Sequence, residues 1–195
     1  MIKNIVFDLG NVLATFDPHS FLHALFSDKD REDVLYSILF VEHDWWHQYD
    51  YGLLMANDII DLVEDAYKED VRLVMKEWVN YVIPIDTSID VLNKYKDTYN
   101  LYILSNIPED CYNHFFTEYD VQSYVKGGVY SFEERMGKPD KRIYEILINR
   151  YHLNPKETLF IDDRVENIVS AEKLGFEVIH LKNPKELNYR IEERL

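Results

Sequence analysis

Three apolar runs in this sequence end on residues able to do chemistry, and a lysine beside a proline makes a fourth such place. In Phe7-Asp8-Leu9-Gly10-Asn11-Val12 a carboxylate closes the β-branched run 2–7. A carboxylate there can attack phosphorus, bind a cation or do both, though it can equally just cap the loop that follows. Leu104-Ser105-Asn106 closes a second run. A hydroxyl with backbone N–H groups at a strand-to-helix turn suits a phosphoryl oxygen, and suits an ordinary N-cap as well. In Gly137-Lys138-Pro139 a cation stands just before a proline that reads as the N1 residue of a helix. It can offset charge on a phosphate and its attacker, or be a plain surface lysine. Phe160-Ile161-Asp162-Asp163 closes a third run, with Asn167 four residues on. Adjacent carboxylates repel one another unless something compensates, and a hard divalent cation with oxygen ligands is the usual remedy. Each piece alone has a bland structural explanation. Together they supply a nucleophile, an oxygen binder, a cation and metal carboxylates, which is what phosphoryl transfer needs from a protein.

The elements that position these groups read as a parallel α/β sheet. Apolar runs at 2–7, 101–104, 158–161 and 176–181, and a weaker one at 124–130, fit buried parallel strands. Helical patterns separate the later ones at 111–119, 141–151 and 166–174, the last ending at Gly175. Strand–helix alternation of this kind places helices on both faces of the sheet. In such sheets ligands bind beyond the carboxyl ends of the strands, where the acids lie. The stretch from about 17 to 82 shows helical periods only. Asp17-Pro18 opens one helix as cap and N1 residue, running to Leu25. Further helices are expected over 33–40, over 57–67 with Asn57 as cap, and over 71–82, with Gly52 separating two of them. This is a helical bundle inserted between the first two strands, with hinges at 15–18 and 83–86.

Composition narrows the partners. The chain has 195 residues, 47% of them hydrophobic, which suffices for one core with a modest insertion and excludes disorder. A formal net charge of −15 repels nucleic acid and anionic membranes, while a small anion needs only a local cluster of cations or N–H groups. The single cysteine, Cys111, can form no internal disulfide and reads as an inert thiol in a reducing compartment. No stretch looks like a signal peptide or a membrane span, so a cytoplasmic protein is expected, a monomer or a weak homodimer.

The order Asp8, Ser105, Lys138, Asp162-Asp163 resembles the four motifs of the haloacid dehalogenase-like (HAD-like) hydrolase superfamily. The resemblance spans nearly the whole chain, including a helical cap between the first two motifs. The run from Phe7 to Val12 looks most similar to that of bacterial α-glucose-1-phosphate phosphatases, and it also resembles the phosphatase domain of soluble epoxide hydrolases. The resemblance implies a Rossmann-like three-layer core with a parallel sheet ordered 5-4-1-2-3, the core being 1–16 plus 84–195 and the cap 17–83. It implies Mg²⁺ as cofactor and a small phosphorylated metabolite as substrate. Asp8 would attack phosphorus and also bind the metal with the Gly10 carbonyl and Asp163, Asp162 standing beside them or one shell out. Ser105 and the N–H of Asn106 would hold phosphoryl oxygens, and Lys138 would neutralise the pentacoordinate charge.

One position departs from the pattern. Most phosphatases of the superfamily carry a second Asp two residues after the nucleophile, where this chain has Gly10. The glycine keeps the carbonyl and lacks the side chain that protonates the leaving group, help typically worth about 10²–10⁴-fold. The sequence therefore favours leaving groups that need little protonation, such as a sugar anomeric oxygen. His47, Asp50 and Asp17 are candidate replacements. The aromatic stretch 43–49 suits sugar stacking, with Trp46 and His47 as candidate substrate contacts. His43 and His47 are spaced for a transition metal but have no third ligand. Two other readings stay open: an idle HAD-like binding protein, and a 2-haloacid dehalogenase, for which the acid pair has no use.

Overall fold

The computed structural model describes residues 1–195. Asn4–Phe7 (β1), buried at every position, is the central strand. It pairs in parallel with Asn100–Ser105 (β2) and Thr158–Asp162 (β4). Gly127–Tyr130 (β3) extends the sheet beyond β2 and Glu177–His180 (β5) beyond β4, giving the order β3-β2-β1-β4-β5. This is the expected 5-4-1-2-3 order, read from the other edge.

Because strand side chains alternate, the sheet has two apolar faces. Ile5 and Phe7 join a cluster of 36 buried residues that runs on into the segment between β1 and β2. Val6 and Phe160 join a second cluster of 12 with residues of Lys141–Tyr151 and Val165–Lys173. Helices thus cover both faces, as the strand–helix alternation requires.

In chain order the helices are Pro18–Phe26 (α1), Lys29–Tyr36 (α2), Trp45–Asp50 (α3), Ala56–Leu62 (α4), Lys68–Glu77 (α5) and Asp86–Tyr95 (α6). Glu109–Glu118 (α7), Ser131–Glu134 (α8), Lys141–Tyr151 (α9), Val165–Lys173 (α10) and Leu187–Glu192 (α11) follow. Asp17 caps α1 and Pro18 stands at its start, as the sequence indicates. Gly52 turns the chain between α3 and α4 with φ of +64°.

Several expectations are corrected. The second helix starts at Lys29, because Asp28 caps it, and a π turn at Ser37–Val41 follows it. The expected helix 57–67 is two pieces: α4, capped at Met55 rather than Asn57, and a 3₁₀ turn at Asp65–Tyr67. Val63 between them is extended, its side chain buried in the core. The expected helix 71–82 starts at Lys68 and gives way at Trp78 to a 3₁₀ turn. Pro139 is not the N1 residue of α9, since Asp140 accepts the Arg142 N–H and the helix opens at Lys141. The helices α3, α6, α8 and α11 are not among those expected from the sequence.

The insertion joins the sheet through two neighbouring crossings. Thr15 N–H donates to the Ile83 carbonyl and Ile85 N–H to the Leu13 carbonyl, each at 2.9 Å. Thr15 Oγ1 adds a bond to the Tyr81 carbonyl at 2.8 Å. No helix is long and apolar enough to cross a membrane.

Candidate active site

Parallel register brings the acids together. Phe7 lies opposite Ile161 on β4, so Asp8 and Asp162-Asp163 emerge at the same edge of the sheet. On the other side Phe7 lies opposite Ile103 on β2, which delivers Ser105 to that edge. The strand order reverses direction between β1 and β4, which is where open α/β sheets bind ligands.

Lys138 arrives on the loop before α9. Asn106 clamps that loop, accepting the Lys138 N–H at 2.8 Å and donating Nδ2 to the Lys138 carbonyl at 2.8 Å. A Cβ on Gly137 would collide with Tyr51 and with the Asn106 amide, so glycine permits this close approach. The lysine is 3% exposed, with Nζ 2.8 Å from Asp8 Oδ1 and 2.7 Å from Asp162 Oδ2. Burial works to lower its pKa, but Asp162 and Asp8 together hold it above the ordinary lysine range.

The three carboxylates are differently committed. Asp162 Oδ1 accepts the Arg164 N–H at 2.8 Å and Asn167 Nδ2 at 2.9 Å, while Oδ2 takes Lys138. It orients Lys138 with both oxygens already engaged. Asp8 Oδ1 accepts the Leu9 N–H at 2.7 Å beside its ion pair, and its Oδ2 accepts nothing from the protein. Asp163 Oδ2 takes Asn11 Nδ2 at 3.2 Å, and its Oδ1 is free. No hydrogen bond reaches the Gly10 carbonyl.

One lysine faces three carboxylates whose oxygens lie within 4.8 Å of one another. Burial, which Lys138 opposes and Asp162 and Asp163 reinforce, pushes Asp8 from 3.8 up to about 7. Burial likewise raises Asp163, against the Asn11 hydrogen bond. Uncompensated negative charge on hard oxygen donors fits a divalent cation, with Asp8, Asp163 and the Gly10 carbonyl as the available donors.

A cavity of about 460 Å³ opens above this cluster. Asp8, Gly10, Ser105, Asn106, Lys138 and Asp163 form its floor, and Phe16, Phe40, Trp46, His47, Asp50 and Trp78 belong to its walls. Ser105 is buried, and its hydroxyl has only a long 3.4 Å contact to the Asn106 carbonyl. The Asn106 N–H has no acceptor in the protein. The floor therefore offers an uncommitted carboxylate oxygen, an ammonium, a hydroxyl and an N–H, a set of groups able to receive a phosphate.

The sequence-derived candidates separate here. Trp46 packs edge-on against Trp78, and His47 sits at the rim with Nδ1 2.9 Å from Asp44 Oδ1. Asp17 lies outside the cavity and spends its carboxylate on capping α1. The hydrogen bond from Ser20 leads in holding it below the usual carboxylate range, so it has no proton to give. Cys111 reaches the cavity wall, but burial, with Asp110 and Asp50 adding, pushes its thiol far up. Asn11, Arg164 and the Asn106 side chain were missed as site residues. A Gly-Asn turn signal was available for Asn11, whose φ is +54°.

Known proteins resemble this chain along most of its length. It is 26% identical over 196 residues to the D-ribitol-5-phosphate phosphatase of Bacteroides thetaiotaomicron, covering 94% of this chain and 93% of the relative. It is 24% identical to a sesquiterpene phosphatase of Aspergillus oryzae, covering 92% and 89%. A HAD family enzyme of Bacteroides thetaiotaomicron, crystallised as a variant with magnesium and inorganic phosphate, superposes with a TM-score of 0.72 at 23% identity, covering 92% and 93%. The model of the haloacid dehalogenase-like hydrolases matches residues 2–175, and the chain belongs to that family.

Proposed function

We propose that the protein is a Mg²⁺-dependent phosphatase of a small phosphorylated metabolite, a sugar phosphate such as a sugar 1-phosphate, working through an aspartyl-phosphate on Asp8. The observation that carries this reading is the state of Asp8: Lys138 and the Leu9 N–H hold one oxygen, and the other is uncommitted at the cavity floor. The D-ribitol-5-phosphate phosphatase and the sesquiterpene phosphatase that the chain resembles along most of its length agree with it.

Asp8, Asp163 and the Gly10 carbonyl would hold the metal, with Asp162 one shell out. Bound there, Mg²⁺ would supply charge neutralisation on the phosphate and on the acid cluster. The uncommitted Asp8 oxygen attacks phosphorus as the bond from phosphorus to the leaving alcohol oxygen breaks, forming an acyl phosphate on the carboxylate. Lys138, kept charged by Asp162, balances charge that grows on the phosphoryl oxygens. Ser105 and the Asn106 N–H hold those oxygens in place. The aromatic walls, Trp46 and His47 among them, receive the alcohol portion.

Gly10 puts no acid beside the leaving oxygen. Unless another group in the cavity supplies that proton, esters whose alcohol leaves readily, such as sugar 1-phosphates, are turned over faster than 6-phosphates. The test is Mg²⁺-dependent release of nitrophenolate from p-nitrophenyl phosphate, followed by a panel of sugar 1- and 6-phosphates. Asp8→Asn should abolish turnover, and Mg²⁺-independent activity surviving that substitution would remove the reading.

A further inference from the structure

Leaving-group protonation still needs a donor, and one group in the cavity is placed to provide it. Resting on the phosphatase reading above, we infer that Asp50, at the end of α3, is the general acid–base of this site, taking from the cavity wall the task that Gly10 cannot perform. Besides Asp8 and Asp163 it is the one other carboxylic residue lining the cavity. Its backbone is fixed to the core, because Ser131 Oγ donates to the Asp50 carbonyl. The neighbouring turn is fixed too, through Arg135 donating to the Gly52 carbonyl. Its carboxyl makes no hydrogen bond with the protein, unlike Asp17, Asp162 and Asp163.

The charges around it favour the protonated form. Burial raises its pKa well above the usual range; Asp8 and Asp110 add to this, and Arg164 alone opposes. Lys138 and Asp163 line the same cavity, and His47 lies one turn earlier on α3. His47 is the rival donor, but it is exposed and tied to Asp44.

The steps balance. Asp8 attacks phosphorus while the bond to the alcohol oxygen breaks, and Asp50 gives that oxygen its proton, leaving as products the alcohol and an Asp50 carboxylate. Asp50 then takes a proton from a water that attacks the phosphoaspartate. The Asp8–phosphorus bond breaks, phosphate departs, and both side chains return to their starting states.

The experiment compares Asp50→Asn with wild type on p-nitrophenyl phosphate and on a primary alkyl phosphate. An acid–base group is worth about 10²–10⁴-fold. We expect the alkyl ester to lose that much in kcat. With p-nitrophenyl phosphate the variant should give a stoichiometric burst of nitrophenolate and then a slow steady rate, since the second step also lacks its base. The burst itself shows a folded site. The alkaline fall of kcat on the alkyl ester should disappear in the variant, and Asp50→Glu should recover part of the rate. Gly10→Asp in the Asp50→Asn background should also recover it, because a Cβ at Gly10 meets only Phe16 Cβ at 3.9 Å. Wild-type kcat and pH profile in Asp50→Asn on both esters would overturn the inference while leaving the phosphatase reading intact. A wild-type protein inactive on every ester would overturn both. Loss of the alkaline limb in His47→Ala with Asp50→Asn unchanged would move the role to His47.

Discussion

Lys138 is the residue on which the acid cluster balances. It is the ammonium within 3 Å of Asp8 and Asp162, at 2.8 and 2.7 Å, and all three side chains are nearly closed to solvent. Removing one partner of a buried charge set leaves the others unpaired, which costs about 3–5 kcal/mol. Lys138→Met should therefore lose stability of that order in urea unfolding without metal, as well as activity. A loss below about 1 kcal/mol, the range of surface pairs, would show the cluster to be solvated. The sequence displayed Asp8, Ser105 and the acid pair because each ends an apolar run, and Lys138 because it stands between a glycine and a proline. It did not display how they are held. Asn106 grips a loop 32 residues away and Asn11 reaches an acid 152 residues away, pairings that exist only once the strands are in register.

Among the elements, the sheet was legible and the helical insertion only partly so. The inner strands β1, β2 and β4 are buried on both faces and read as unbroken apolar runs. The insertion's helices are cut short by local effects that a 3.6-residue period does not reveal: an earlier cap at Asp28, an extended Val63, a 3₁₀ turn at Trp78. The turn after α3 carries a more consequential constraint. Gly52 has φ of +64°, and a Cβ there would stand 3.0 Å from the Phe132 carbonyl oxygen. A side chain at such a φ costs about 1–2 kcal/mol before any clash. Gly52→Ala should therefore destabilise the protein by at least that amount in thermal unfolding. It should also push α3, with Trp46, His47 and Asp50, off α8. Turnover should fall along with stability. Unaltered kinetics in a variant destabilised as expected would show that the seating of α3 does not govern the site.

At the scale of the whole molecule, the site works against the stability of the fold that carries it. The chain already bears a net charge of −15, and the cavity floor concentrates three carboxylates around one lysine. The folded state holds the Asp8 proton more tightly than the unfolded chain does, its pKa moving from 3.8 to about 7. Folding therefore takes up a proton across that interval, and the metal-free protein should lose stability as pH rises through it. Each tenfold gain in proton affinity on folding is worth about 1.4 kcal/mol, so the loss amounts to a few kcal/mol. Asp163 and Asp50, also raised, act in the same direction. Asp8→Asn removes the Asp8 share of this dependence. It should melt higher than wild type near neutral pH without metal, although it is inactive. A cation that binds the folded site alone reverses the order, since ligand at 100 times its dissociation constant adds about 2.7 kcal/mol. Calorimetry of both proteins near pH 5 and pH 7, with and without Mg²⁺, checks this. Wild type should gain most from Mg²⁺ at the higher pH, where the carboxylates have lost their protons, and Asp8→Asn should gain little at either. Equal gains in the two proteins would place the ion away from Asp8 and leave the charge at the cavity floor to be balanced by protons alone.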